Sequence, residues 1–329
     1  MVRALHESVG ARRLTSPNPA VGCVIVTADG RTLSGVTEPA GCRHAEIVAL
    51  DAASANGIST AGATVYVTLE PCSHHGRTPP CTDRLIDAGV AKVVVAVGDP
   101  DPMVGGSGLA VLRAAGIEVE LGVEAEAAAA QLAAYLHHRR TGRPYVILKL
   151  AATLDGRTAA ADGSSRWITG PEARVDVHRL RADSDAVLVG AGTVRADDPS
   201  LTVRLVEDLA ERADPRRIVL GSAPPGAAVH PCTEMAGSLG EILDQLGRED
   251  VVQLLVEGGA TVAGALHREG LVDRYVLYLA PALAGGDDGV PMLSGPGAPT
   301  VERLWRGEVA AVTRLGGDLR LDVVARKAD

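Results

Sequence analysis

One group of polar residues in this 329-residue chain has the make-up of a metal centre. His44 and Glu46 stand two residues apart at the expected start of a helix, Pro71-Cys72 at an expected strand end, and Cys81 at another helix start. One imidazole and two thiolates suit zinc and leave a fourth position for water, whose pKa zinc lowers toward neutrality. Glu46 is near enough to take that water's proton and pass it to a leaving amine, which is general acid–base work for a carboxylate. The spacing matches the zinc-deaminase pattern H-x-E followed by P-C-x-x-C, with one departure. Eight residues, SHHGRTPP, separate the two cysteines where that pattern has two. A loop can carry the insertion if Cys72 and Cys81 keep their places. A closed structural zinc site, or buried thiols, would leave the glutamate after His44 and the proline before Cys72 unexplained.

Other polar residues nearby are open to two readings. His74 and His75 are either further ligands or loop histidines facing solvent or substrate, and Asn18, before Pro19, suits a turn as well as substrate recognition. Cys23 and Cys42 read as structural. Five cysteines are an odd number, and a metal site explains them better than a disulfide framework.

The elements that must position these residues follow from the apolar pattern. VGCVIV (21–26) reads as a strand, Asp29-Gly30 as a turn, and Thr32 to Val36 as a second strand. A helix is expected from His44 to Ser54, a buried strand at 64–70, a helix from Cys81 ending near Gly89, and a strand at 91–97. A helix around Leu109 to Ala115 leads to the strand IEVEL, and the Ala-rich piece from Glu124 to Arg140 reads as one helix with Leu132, Tyr135 and Leu136 on its packing face. Alternating strands and helices predict a mostly parallel sheet covered on both faces.

Thr141-Gly142-Arg143-Pro144 looks like a domain joint, dividing the chain into 1–143 and 144–329. A second α/β set opens with YVILKLA (145–151), with further strands at Ala186–Gly190, Arg217–Gly221, Val251–Glu257 and Arg274–Ala280 and two near the carboxyl end. On its own residues this half says less. GAGTV follows a strand without the full dinucleotide fingerprint. Glu257-Gly258-Gly259-Ala260 suits either phosphate at a helix start or a tight strand-to-helix turn. Lys149 reads on its own as a strand lysine whose stem packs on the sheet.

Charge limits the partners. Through Arg143 there are 12 basic and 14 acidic residues, and the remainder carries 20 and 27. Neither half has the basic balance of a polynucleotide binder, so the expected partner is a small molecule and not a nucleic acid. No run of about 18 apolar residues suggests a membrane span, and the opening segment lacks a secretory apolar core. A cytoplasmic protein is expected.

Taken together, TSPNPAVGCVIV, HAE and VTLEPCSHHGRTPPC resemble the deaminase half of the RibD family of bifunctional riboflavin-biosynthesis proteins. LKLAATLDGRTA, SRWITG, GAGTVRADDPSLTVR and VEGGA continue the resemblance to the reductase half, so it covers essentially the whole chain. It implies an α/β protein with a cytidine-deaminase-like three-layer domain followed by a dihydrofolate-reductase-like domain. It also implies two reactions. A diaminopyrimidinone bearing a ribosylamino 5′-phosphate loses a ring amino group, and NADPH then reduces the ribosyl unit to ribityl. Carried over by motif, His44, Cys72 and Cys81 hold zinc, Glu46 shuttles protons, and Asn18 and Arg77 touch substrate. In the second half NADPH would contact Ala151, Trp167, Thr193, Asp197 and the turn from Gly259 through Ala260 and Thr261 to Ala265. Ser165, Arg181, Leu201, Arg204 and Glu257 would hold substrate, with Arg181 and Arg204 as phosphate partners and Lys149 and Asp197 assisting proton transfer. A homo-oligomer is expected as well, because exposed faces of such sheets often pair.

The chain departs from the family pattern at three places. The stretch from Arg217 to Glu257 is short and reads without the usual additional strand and helix. Gly221 stands where Asp is common, and Thr37 where His is frequent. The first two departures fall where the adenine end of NADPH is expected, and the shortened stretch motivates an alternative: a deaminase whose carboxyl half is a non-catalytic binding or oligomerisation module. A nucleoside or transfer-RNA deaminase with an unrelated appendage is a third reading, its transfer-RNA version disfavoured by the missing basic patch.

Overall fold

The computed structural model describes residues 1–74, 79–101, 105–206 and 214–326. They fall into two compact units, Met1–Gly142 and Arg143–Asp329.

The first unit runs α1 (Val2–Glu7), α2 (Arg12–Thr15), β1 (Gly22–Val26), β2 (Thr32–Val36), α3 (Ala45–Ala55), β3 (Thr64–Leu69), α4 (Cys81–Asp87) and β4 (Lys92–Val97). It closes with α5 (Ser107–Ala114), β5 (Glu118–Leu121), α6 (Ala125–Gln131) and α7 (Ala133–Thr141). Sheet order is β2-β1-β3-β4-β5. β2, β3, β4 and β5 all point the same way, but β1 runs antiparallel to both its neighbours, so the sheet is mixed where a mostly parallel one was expected. The cause is local. Thr27 and Arg31 close a hairpin over Gly30 (φ +84°), which returns the chain at once beside β1, whereas later strands are reached through helices.

Alternation along the strands makes three layers. Val65, Val67, Val93 and Val95 pack on Ala49 and Leu50 of α3, Leu85 of α4 and Leu112 of α5, while Leu5, Ala96 and Ala128 join α1 and α6 on the other face. The Ala-rich piece forms two helices, not one. Leu132 leaves helical geometry (φ −92°, ψ +7°), and its side chain, with Tyr135 and Leu136, is buried in the main core.

The second unit runs β6 (Tyr145–Thr153), β7 (Arg157–Ala159), α8 (Pro171–Ala182), β8 (Ala186–Gly190), α9 (Ala191–Asp197), β9 (Arg216–Leu220), β10 (Thr233–Met235) and α10 (Leu239–Arg248). There follow β11 (Gln253–Val256), α11 (Ala260–Arg268), β12 (Arg274–Ala280), β13 (Val290–Pro291), β14 (Gly307–Leu315) and β15 (Asp318–Ala325). The main sheet has the order β10-β9-β8-β11-β6-β12-β15-β14. Its first six strands are parallel, β15 runs antiparallel to β12, and β14 runs antiparallel to β15. Val146, Leu148 and Val256 face Ile242 and Leu246 of α10 and Leu266 of α11. Ile147, Val187 and Leu255 face Val177 and Leu180 of α8 and Val194 of α9.

The short region after Arg217 does contain a strand, against expectation. β10 has three residues, of which only Met235 is buried, so it offers no apolar alternation to read. It pairs in parallel with Ile218–Leu220 of β9. Among the described residues no helix is long and apolar enough to cross a membrane.

Candidate active sites

In the first unit three chain segments converge at one end of the sheet. β2 and β3 point the same way, so the start of α3, the chain leaving β3 and the start of α4 all meet there. His44 is the residue that begins α3, and Cys81 is the first residue of α4. His44 Nδ1 lies 3.3 Å from Cys81 Sγ and 3.6 Å from Cys72 Sγ, and the three ligand atoms all lie within 4.8 Å of one another. Zinc bonds of about 2.0–2.1 Å to nitrogen and about 2.3 Å to sulfur in a tetrahedron would separate N from S by about 3.5 Å. The donor set therefore fits zinc in both chemistry and spacing. Cys81 donates to Cys72, and with His44 beside it this holds the Cys72 thiol well below the usual thiol range.

Glu46, on the first turn of α3, is 4% exposed. Burial, and next the Cys72 thiolate, pushes its carboxyl up to about 7, a value suited to exchanging protons near neutrality. The register of β1 on β3 pairs Cys23 with Val67, so the loop before β1, with Asn18 in it, lies at the same end as the cluster. Asn18 is half-buried, and its amide closes a turn on the Thr15 carbonyl at 2.8 Å. Thr37 is buried there too, its hydroxyl accepting from the Val21 amide and donating to the Val21 carbonyl. That threonine secures the loop before β1. Cys23 is fully buried, whereas Cys42 is exposed, which corrects its structural reading. His74 is exposed and stands apart from the three-ligand group. Arg77 and His75 lie outside the described residues.

In the second unit the carboxyl ends of the parallel strands gather the other candidates, as open α/β sheets do at their binding edges. Lys149 on β6 is half-buried, and its ammonium lies 5.9 Å from the ring centre of the buried Tyr278. Burial lowers its pKa, while Glu257 and Asp197 act to raise it. Arg181 and Glu257 form a paired contact, Nε to Oε1 at 2.5 Å and Nη2 to Oε2 at 2.9 Å, with side chains 11% and 8% exposed. Burial alone would raise the Glu257 carboxyl, but the Arg181 guanidinium holds it below its ordinary value. Arg181 Nη1 also donates to the Thr202 carbonyl at 3.1 Å. Arg181 is thus committed largely to the protein, and Arg204 is the exposed guanidinium of the pair, resting on the hydroxyls of Ser200 and Thr202.

Leu201 is 2% exposed and packed in the core at φ +54°, so only its backbone can meet a ligand. Ser165 donates to Asp197 at 3.2 Å, and Arg166 donates to the Asp197 carbonyl. Trp167 is exposed, with the Arg174 guanidinium 4.5 Å from its ring centre. Ala151 is half-buried near the end of β6. The Gly259 amide donates to Thr193 Oγ1 at 2.9 Å, joining the starts of α9 and α11. Gly259 begins α11 without a side-chain cap, and Ala260 and Thr261 form its first turn. A Cβ on Gly190 would lie 2.9 Å from Val262, so glycine is what lets β8 approach that turn. A helix start approached through glycines suits a cofactor phosphate. Two neighbours went unnoticed in the sequence, His178 and Tyr278, because a histidine or tyrosine inside an element carries no motif.

Residues 1–97 match the family model described as the cytidine and deoxycytidylate deaminase zinc-binding region, and residues 144–321 that described as the RibD C-terminal domain. The riboflavin biosynthesis protein RibD of Mycobacterium tuberculosis is 46% identical, covering 98% of this chain and 96% of the relative. That of Escherichia coli is 44% identical over 87% and 88%. Among solved structures, Acinetobacter baumannii RibD is similar at a TM-score of 0.90 with 38% identity, covering 99% of this chain and 97% of that one. A Thermotoga maritima diaminohydroxyphosphoribosylaminopyrimidine deaminase/5-amino-6-(5-phosphoribosylamino)uracil reductase is similar at 0.90 with 32% identity and the same coverage.

Proposed function

The chain belongs to the RibD family of riboflavin-biosynthesis proteins, and on that premise we propose how its residues divide two successive reactions. It is a bifunctional enzyme, a zinc-dependent deaminase joined to an NADPH-dependent reductase. We assign deamination of the diaminopyrimidinone ribosyl phosphate to residues 1–143 and reduction of the resulting pyrimidinedione to residues 144–329. The observation that carries this reading is the convergence of His44, Cys72 and Cys81 beside the buried Glu46.

In the first reaction His44, Cys72 and Cys81 would hold zinc, which supplies Lewis acidity that makes water a nucleophile near neutral pH. Glu46 accepts a proton from the attacking water and returns one to the departing amino nitrogen. The ring C–N bond breaks as the carbonyl forms, and ammonia leaves. Asn18 and Arg77 orient the substrate.

In the second reaction bound NADPH would supply the hydride that the sugar carbon needs to become the end of the ribityl chain. Ala151, Trp167, Thr193, Asp197 and the Gly259–Thr261 turn would hold the cofactor. Ser165, Arg204, Glu257 and the backbone at Leu201 would face substrate, with Arg204 the leading phosphate partner. Arg181 contributes by holding Glu257 and the Thr202 carbonyl in place. Lys149, with its lowered pKa, and Asp197 are the groups placed to deliver the proton that balances the hydride.

Reduced thiols and NADPH suit the cytoplasm. Self-association belongs to the same reading, because the edge strand β14 is exposed nearly throughout and carries Val309 and Val312 at 56% and 60% exposure. Edges of that length are normally covered, and a second copy is the occupant chosen here.

The test is to incubate zinc-loaded protein with the diaminopyrimidinone ribosyl phosphate and follow products by mass spectrometry. The parent should accumulate the pyrimidinedione without NADPH and convert it to the ribityl compound with it. Glu46→Gln should slow ammonia release by about 10²–10⁴-fold. Unchanged deamination in that variant would remove Glu46 from the mechanism, and deamination never followed by reduction would return the second unit to a non-catalytic role.

A further inference from the structure

We infer that Glu70 is a positioning residue for Cys72, clamping the end of β3 in the geometry the metal cluster needs; the inference rests on the zinc reading above. Glu70 directly precedes Pro71-Cys72 and is 5% exposed. One carboxylate oxygen accepts from the backbone amides of Asp99 at 3.2 Å and Gly106 at 3.1 Å. The other accepts from Gly108 at 3.0 Å and Leu109 at 3.3 Å. Four amide donors fill the carboxylate's acceptor positions, so it has no remaining capacity to touch substrate.

These contacts bind the strand end to the chain leaving β4 and to the start of α5. Two more contacts act on the same short segment. Ser73 Oγ lies 2.7 Å from Ser107 Oγ, also at the start of α5. A Cβ on Gly108 would fall 2.0 Å from the Pro71 carbonyl oxygen, so the backbone at Pro71 is pressed directly against α5. Glu70, Pro71 and Ser73 are all held by α5, and Cys72 is the one residue of the four that turns to the cluster. On its other side the Cys72 carbonyl accepts from the Thr82 amide at 3.2 Å, and its sulfur accepts from the Cys81 amide at 3.4 Å. The sulfur position is therefore set between α5 and α4. A group that fixes a ligand in this way changes metal affinity, whereas a purely structural carboxylate changes stability alone.

The full-length protein carrying Glu70→Gln, which keeps the size but offers only one acceptor oxygen, would be stripped of metal and titrated with zinc against a chelator. Cobalt(II) would serve as the spectroscopic probe. The expected result is a zinc dissociation constant raised about tenfold or more, with displaced thiolate-to-cobalt and ligand-field bands. Ser73→Ala should give a smaller rise in the same direction, and Leu112→Ala, a buried residue of α5, should lower thermal stability while leaving both readouts at parent values. Parent affinity and spectrum in Glu70→Gln, with only its melting temperature reduced, would overturn the proposal. If Glu70→Gln does not fold, Ser73→Ala decides: parent values overturn the clamp, and weakened zinc with shifted bands supports it. Absence of thiolate bands in the parent itself would overturn the zinc reading, and the clamp with it.

Discussion

His178 shows how a residue without a motif acquires a role from its surroundings. It is 5% exposed on α8, and its Nδ1 accepts from the Arg204 amide at 3.0 Å. Burial, followed by the charges of Arg181 and Arg204, pulls the imidazole down to about 4 from 6.5, while Glu257 and Asp214 act weakly the other way. Between those two values the unfolded chain binds more protons than the folded one, so unfolding is favoured by acid. The stability this group contributes is fully present above about pH 6.5 and is lost as pH falls toward about 4. Thermal midpoints should fall more steeply across that window in the parent than in His178→Gln, whose amide oxygen can still accept from Arg204. Equal slopes would mean that another group governs the acid limb.

At the scale of elements, the segment from β9 to α10 shows how a shortened connection still extends a sheet. Gly221 leaves β9 at φ +91°, and its amide donates to the Met235 carbonyl at 2.9 Å, which sets β10 beside β9. An L-residue in that left-handed geometry costs about 1–2 kcal/mol, and a Cβ here would also come within 3.2 Å of Ala191. The glycine therefore matches the tight turn, which the aspartate common in the family would strain. Gly221→Asp should lower stability by about that amount in thermal unfolding, and Gly221→Asn by less, since asparagine tolerates the left-handed region best of the side-chain residues. Parent-like stability in the aspartate variant would show that the turn can relax to another geometry. The helix that follows begins with Ser238 and Glu241 in a reciprocal cap, a pattern that was available in the sequence. β10 was not, because three residues with one buried side chain have no period.

For the whole molecule, the open question with a physical handle is self-association. The chain carries a net charge of −9, which keeps copies apart unless a specific apolar surface overcomes the repulsion. The β14 edge is such a surface. Sedimentation equilibrium should give a mass that is a multiple of 33.8 kDa, and Val309→Lys combined with Val312→Lys should shift it toward one copy. A parent that sediments as a single chain at micromolar concentration would remove the homo-oligomer from the reading.

Much of the chemistry and most of the elements were legible because they are written in neighbouring residues. The spacing of His44 and Glu46, the proline before Cys72, the Asp29-Gly30 turn and the apolar runs that became β3, β6, β8 and β12 each depend on a few adjacent side chains. The α/β architecture of both units follows from that alternation. Tertiary structure alone decided which distant groups meet. Arg181 finds Glu257, 76 positions away, only once β8 and β11 lie side by side, and this commits to the protein a guanidinium that its type alone suggests for phosphate. Leu201 turns inward because its left-handed backbone leaves the side chain facing the core. β1 runs against β3 because a hairpin and a helical crossover place β2 and β3 on its two sides. Glu70 carries no motif of its own until the loop after β4 and the start of α5 bring four amides to one carboxylate. Local pattern can specify a residue's chemistry, but a buried charge takes its role from the partner that packing supplies.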